Sequence, residues 1–403
     1  MNLLEMLNYS ADYLQHHKLR SFLTVLGIVV GVSSVILLVG LIQGLKQDVL
    51  AQLEDFGPRT IIVSPLSTST GGGGPGSSFF PTKGKLFEKD FERVKKIPEI
   101  QSITKIISGQ TTVMFKNESI SASIFGIEAG LFDDTVPVEV DSGRFIQESD
   151  RGVAGLGWDV ADGFDKEVRT QSNIDLAGRR FKVIGVLKKT GNSFAPIDNV
   201  VFIPFDDARD LFNQTLLPDE ISAIRLTLKE GSDVDAISSQ IEDIMRASHR
   251  VAKGEEDFRV ISPTFINRQF TGILDLLSVF LGAIASISLI VGAIGISNTM
   301  FMSVLERRRE IGTMKAIGAR TFQIRNLFLV ESSMIGLSGG FFGIVVAATL
   351  GSIISALFGV TFVFDPLVMA GSALFSVMIG LFSGTFPAIE AAKVDPIEAL
   401  RYE

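Results

Sequence analysis

Residues able to do chemistry are scarce in this chain, and their spacing argues against catalysis. The histidines are His16, His17 and His249. Neighbours in sequence do not share a helix face, so His16 and His17 do not serve one centre, and His249 stands far off. Cysteine is absent, which excludes thiolate metal sites and disulfides and leaves the redox compartment undetermined. The single Gly-Lys pair, Gly84-Lys85, is followed by Leu86. A phosphate-cradling P-loop needs Ser or Thr at that place. STSTGGGGPGSSFFP, with Gly71–Gly76, therefore reads as a flexible loop. No carboxylate pair, serine–histidine pair or ligand cluster stands out, and Trp158 reads as a core or interface residue. The expectation is a non-catalytic chain with no catalytic residue, no metal and no cofactor of its own.

What does stand out is a concentration of charge. ERRREIGTMKAIGAR, Glu306 to Arg320, gathers Arg307, Arg308, Arg309, Lys315 and Arg320 directly after 30 residues without a charge. The elements that position it are four uncharged runs: Ser21–Leu45, Leu276–Leu305, Ser332–Phe364 and Pro366–Ile389, of 25, 30, 33 and 24 residues. About 20 apolar residues suffice for a helix to cross the roughly 30 Å hydrocarbon core. Buried helices of soluble proteins are shorter and keep a polar edge, so four membrane spans are predicted. Ser21–Leu45 follows Lys18 and Arg20 as a signal peptide would. It exceeds a signal peptide's apolar region, lacks a small-residue cleavage pattern and continues into LKQDVLAQLEDF at helical spacing, so it reads as an uncleaved span.

Orientation follows lysine and arginine in short loops. Glu306–Glu331 holds six cations and three anions; Lys18 and Arg20 precede the first run, and Lys393 and Arg401 follow the fourth. With four spans all three segments fall on one side, expected to be cytoplasmic. The long segment from Lys46 to Asp275 is then external. It has 35 acidic and 27 basic residues, which argues against a nucleic-acid partner. The N-terminal MNLLEMLNYSADYLQ sets Leu3, Leu4, Leu7, Ala11 and Leu14 opposite polar residues, as suits a helix lying in the membrane interface.

The external segment alternates strand-like and helix-like patterns. TIIVSP, QSITKIIS, TTVMFKN, SISASIFGIE, RRFKVIGVLKK, NVVFIPF, ISAIRLTLKE and FRVIS read as strands. FEKDFERVKKI, DDARDLF and DVDAISSQIEDIMRAS read as helices. The fold class expected is thus an α-helical membrane protein with four transmembrane helices and a large α+β extracytoplasmic domain of two subdomains between helices 1 and 2. The predicted organisation is an interfacial helix at 1–17, spans at 21–45, 276–305, 329–358 and 366–389, and the external domain with stalk helices at 46–272. A cytoplasmic coupling segment occupies 306–326, and a cytoplasmic tail 390–403.

Within the runs, glycines recur four residues apart: Gly27 and Gly31, Gly40 and Gly44, Gly336 and Gly340, Gly380 and Gly384. That spacing lets helices approach closely in lipid. No ionisable residue sits deep inside a run, which argues against an ion-coupled transporter or a proton relay. Any energy for work must then come from a partner, and Glu306–Arg320 is its natural landing site.

At this point four stretches resemble one family. LRSFLTVLGIVVG, RRREIGTMKAIGA, VIGVLKK with VFIPF, and PAIEAAKVDPIEALR are similar to the first span, coupling segment, external core and C-terminal end of MacB/FtsX-like permeases of ABC transporters. The resemblance implies a permease dimer with separate cytoplasmic ATPase subunits that bind ATP and magnesium. It also implies motion passed mechanically to the external domain, and leaves a membrane-fusion or other external partner as one option outside. It places the ATPase contact at Glu306, Arg307, Arg308, Arg309, Glu310, Gly312, Lys315, Ala316 and Gly318. The function implied is export or extrusion of amphipathic cargo: peptide, antibiotic, lipid or lipoprotein. The alternatives are a cargo-free transmitter that activates a cell-wall hydrolase, as FtsX-type members do, and a sensor or adhesion protein that needs no ATP.

Overall fold

A computed structural model describes residues 18–66, 83–132, 139–165, 168–191 and 197–401. The interfacial helix expected at 1–17 and the loop at Gly71–Gly76 lie outside these residues. The chain forms two compact units, one made of the residues up to Asp48 and from Thr271 onward, the other Val49–Phe270.

The first unit is helical. Its four long helices are α1 (Lys18–Phe56), α6 (Pro263–Glu306), α8 (Thr321–Phe358) and α9 (Pro366–Lys393), each long and apolar enough to cross a membrane. Two short helices, α7 (Arg308–Ala316) and α10 (Pro396–Arg401), lie beyond the ends of α6 and α9. The 44 residues of α6 measure about 66 Å at 1.5 Å per residue, more than a bilayer's hydrocarbon needs. Lipid supplies no hydrophobic drive between helices, so contact depends on small residues and hydrogen bonds. Gly27 meets the backbone of Gly292, and Gly31 meets Leu289, which brings α1 against α6. The hydroxyls of Thr24 and Thr299 join the same pair at 2.7 Å. Gly336 and Gly340 receive Ser376 of α9, whose Oγ donates to the Gly336 carbonyl at 2.9 Å. Gly380 and Gly384 receive Ser332 of α8.

Gly40 and Gly44 differ. Their nearest neighbours belong to the loop between α8 and α9: Phe362 covers Gly40, the Thr361 carbonyl lies on Gly44, and Val363 N–H donates to Gly40 O at 3.2 Å. Asp48 accepts from the Thr361 hydroxyl at 2.5 Å and fixes the loop there. The four-residue glycine spacing thus marks close approach at all these sites without distinguishing a helix from a loop as the approaching partner.

The second unit is α+β. A ten-stranded mixed sheet has the order β12-β1-β11-β3-β4-β9-β6-β8-β5, with β7 pairing β3 and β8. The strands are β1 (Thr60–Pro65), β3 (Ile100–Phe115), β4 (Glu118–Ile127), β5 (Val140–Gly143), β6 (Val153–Leu156), β7 (Asn173–Leu176), β8 (Arg179–Leu187), β9 (Val200–Pro204), β11 (Ala223–Leu228) and β12 (Phe258–Ile261). A small ladder joins β2 (Leu86–Phe87) to β10 (Glu220–Ile221). QSITKIIS and TTVMFKN form the single strand β3, because Gly109 between them makes room for the Phe212 ring. Helices α2 (Glu88–Val94), α3 (Trp158–Asp162), α4 (Phe205–Leu211) and α5 (Val234–His249) complete the unit.

Helix α5 shows how the local sequence dictates the element. Asp233 caps it by accepting from the Asp235 and Ala236 amides. Ile237, Ile241 and Met245, four apart, bury one stripe against the sheet. Two apolar cores sit on the sheet. The larger holds Ile61, Val113, Leu156 and Ile224; the other holds Phe132, Phe145 and Phe202, whose ring centroids lie 5.6–6.3 Å apart. The domain-side ends of α1 and α6 share a further cluster, Val49, Leu53 and Ile266 with Ile62 and Ile261 of β1 and β12.

Candidate coupling site on the helical unit

The segment after α6 is built from its own residues. Helix α6 stops at Glu306, and Arg307, with φ −100° and ψ 16°, opens α7. At the other end Gly318 N–H donates to Lys315 O and Ala319 N–H to Met314 O, both at 3.0 Å. That pair of bonds is a Schellman cap. It needs a positive φ at Gly318, here 105°, which explains a glycine where nothing crowds it. Met314 and Ala319 turn inward onto the helical core, while the cap pushes Ile317 outward to 82% exposure.

The nine residues expected to contact an ATPase divide between two faces. Arg307 faces inward with 4% of its side chain exposed. Its Nη1 donates to Glu331 Oε2 at 3.1 Å, its Nε to Glu310 Oε2 at 3.2 Å, and its guanidinium stands 5.5 Å from the Phe328 ring centroid. Gly312 is buried, and a Cβ there would lie 2.6 Å from the Ala399 Cβ of α10. Lys315 Nζ donates to the carbonyls of Ala392 and Val394 at 2.7 and 2.8 Å. Those carbonyls end α9, where a helix has acceptors without intrahelical partners and its negative pole. Arg308 is half-buried and reaches Glu398 of α10 at 3.6 Å. Glu306, Arg309, Glu310, Ala316 and Gly318 are exposed.

Arg307 and Lys315 therefore tie α7 to α8 and α9, and the outward face is left to the rest. Exposed residues that the sequence reading did not single out are Ile317 at the end of α7, Phe322 of α8 at 49% exposure, and Ile397 of α10 at 76%. A signal existed for Ile317, which falls off the buried stripe that Ile311 defines. Ile317 and Phe322 are exposed apolar residues close in sequence to the exposed Arg309, Arg320 and Arg325.

In the inserted domain a cleft of about 340 Å³ is lined by four acids and three bases. Lys105 reaches Glu88 at 2.9 Å and Glu128 at 3.7 Å, and Arg209 reaches Glu88 at 3.0 Å. Both cations stand over the Phe205 ring. Burial holds the Glu128 carboxyl above the usual range, and Lys105 only partly offsets it. These charges neutralise one another in place and form a structural network.

Comparison with known proteins gives the family. Residues 21–244 match the family model of the MacB-like periplasmic core domain, and residues 282–396 match that of the FtsX-like permease C-terminal region. The chain is 30% identical over 410 residues to an uncharacterized ABC transporter permease of Methanocaldococcus jannaschii, covering 99% of this chain and 98% of that one. It is 30% identical over 408 residues to the uncharacterized ABC transporter permease YknZ of Bacillus subtilis, with both chains covered completely. Against the macrolide export ATP-binding/permease protein MacB of Nitrosomonas europaea it is 31% identical over 397 residues, which is 96% of this chain and 57% of that protein. Four apolar helices with an α+β domain inserted after the first define a multi-pass membrane protein of the permease class. The chain belongs to the MacB/FtsX-like family of ABC transporter permeases.

Proposed function

We propose that this chain is the non-catalytic membrane subunit of an ATP-driven exporter of amphipathic cargo, and that α7 receives the motion of a separate cytoplasmic ATPase. ATP and magnesium belong to that partner. The observation that carries the reading is the two-sided build of α7. Arg307 and Lys315 bind it to α8 and α9, while Ile317 stands outward at 82% exposure. A push on the outer face is delivered to two spanning helices at once. Helix α6 runs unbroken from Pro263 to Glu306. Relatives matched over nearly their whole length are named ABC transporter permeases, which supports the permease role.

In this reading the side bearing α7 and both termini is cytoplasmic, the inserted domain is external, and the protein sits in the cell membrane. The second permease copy is proposed to lie along α6. Ile273, Leu277, Phe280, Ile284, Ile287, Val291 and Ile294 repeat at alternating spacings of four and three and are all exposed. That is the period of a left-handed helix pair.

The test is Ile317→Asp in the full chain, expressed in its native host and purified by affinity. The expected result is a normally inserted permease that recovers at least about tenfold less ATPase activity, since an apolar anchor in a desolvated pocket is worth roughly 2 kcal/mol. Undiminished ATPase recovery would place the contact elsewhere. Export lost together with the ATPase supports a transporter, whereas intact export with impaired cell-wall hydrolysis favours the cargo-free transmitter.

A further inference from the structure

A second cleft in the inserted domain, about 720 Å³, has a different character from the first. Its lining includes Lys83, Lys85, Lys89, Arg93 and Arg250 against one carboxylate, Asp257. This basic lining sits in a segment where acids outnumber bases 35 to 27, so composition does not explain it. Two of the cations are satisfied locally. Lys85 pairs with Glu220 at 2.7 Å, and Lys83 donates to the carbonyls of Glu255 and Glu256. Among the described residues, Lys89, Arg93 and Arg250 make no ion pair, and all three are exposed. Arg250 adopts φ 58° at the end of α5, a position where glycine is the usual choice. Strained non-glycine residues of this kind collect at functional sites.

The wall of the cleft is a buried polar set. The His249 side chain is 7% exposed, with Nδ1 2.8 Å from Asp257 Oδ1 and Nε2 3.4 Å from Asp90 Oδ2. Asp90 is wholly buried, accepts from the Phe87 amide at 2.9 Å, and also accepts from the Ser248 hydroxyl. This is no hydrolytic triad. Both ring nitrogens face carboxylates, and Ser248 is bound to Asp90 rather than to the imidazole. The set instead fixes the end of α5 against the start of α2, and so fixes Arg250 relative to Lys89 and Arg93.

Holding like charges together costs free energy that an anion recovers, at distances within a Debye length of about 8 Å. Three unpaired cations call for more than one negative charge. A carboxylate supplies one; a phosphomonoester or diphosphate supplies two or more and accepts from several donors at once. We propose that this cleft binds a phosphate-bearing molecule, held by Lys89, Arg93 and Arg250 over the His249 wall. The proposal is independent of the transport reading.

The test uses the full chain in amphipol, titrated calorimetrically with sodium pyrophosphate at constant ionic strength. The wild type is expected to bind saturably at or below ~1 mM. Lys89→Gln with Arg93→Gln is expected to weaken binding roughly tenfold for each cation removed, as loss of a charge-assisted hydrogen bond implies. Both residues are exposed without ion pairs among the described residues, so the variant should melt at the wild-type temperature without ligand, and Arg93→Lys in place of Arg93→Gln should restore part of the affinity. Dihexanoyl phosphatidic acid is the second probe. Tighter binding than pyrophosphate identifies a lipid-linked phosphate, and weaker binding a soluble one. Absence of saturable binding of either probe, or equal affinity in the double variant, overturns the proposal.

Discussion

Arg307 and Glu331 meet at 3.1 Å, guanidinium to carboxylate, with 4% and 2% of their side chains exposed. The pair joins the α6–α7 junction to the body of α8. Removing one member strands a buried charge, so Arg307→Ala and Glu331→Ala should each destabilise the chain by about 3–5 kcal/mol. Replacing both, as Arg307→Met with Glu331→Leu, should recover most of that loss. Thermal unfolding in detergent of the two single variants and the double variant checks this; additive losses would contradict the pairing.

Gly44 and Gly295 give opposite predictions for the same substitution. Gly44→Ala drives a methyl group into the Thr361 backbone carbonyl, which no rotamer change relieves, and should cost about 1–3 kcal/mol. At Gly295 nothing lies within 4 Å, so Gly295→Ala should be neutral or stabilising by up to about 1 kcal/mol. Melting temperatures of the two variants decide it, and Gly40→Ala should fall between them, because the Phe362 ring can rotate away while the Val363 carbonyl, 2.9 Å from the new Cβ, cannot.

Gly312→Ala tests whether α10 is seated on α7. The new Cβ would stand 2.6 Å from that of Ala399 and should dislodge α10. Limited proteolysis should then cut the C-terminal segment several times faster than in the wild type, while an Ile317→Ala variant leaves it protected.

Glu128 sets a pH dependence in the inserted domain. Burial raises its carboxyl above the unfolded value, so the folded state holds this proton more tightly. The contribution is fully present below the unfolded value of 4.5 and is lost as pH rises through the folded one. Glu128→Gln should therefore match the wild type at pH 4 and exceed its stability at pH 7. Denaturant melts at the two pH values measure it; a variant less stable at pH 7 would show that the Lys105 contact outweighs burial.

The spans and most strands were legible because they rest on periodicity and length, which a single sequence carries. Asp233, Ile237, Ile241 and Met245 announce α5 in this way. The two faces of α7 were less legible. Arg307, Arg308 and Arg309 are adjacent and chemically alike, and only the positions of Glu331 and Phe328 decide that the first turns inward. Gly40 and Gly44 carried the right signal for close approach and no signal for a loop as the partner. Asp90, His249 and Asp257 were invisible because the fold brings α2 and the end of α5 together across the domain.

Pro387 lies buried within α9, six residues before its end. Proline has no amide hydrogen, so the rung it would otherwise form with Ser383 is missing. Lys315 grips the carbonyls of Ala392 and Val394, on the far side of that gap. The segment beyond the gap is thus held by Lys315 as well as by its own helix hydrogen bonds. On the proposed reading, a load received at α7 would reach the end of α9 first and would have to cross the missing rung to reach the rest of the helix.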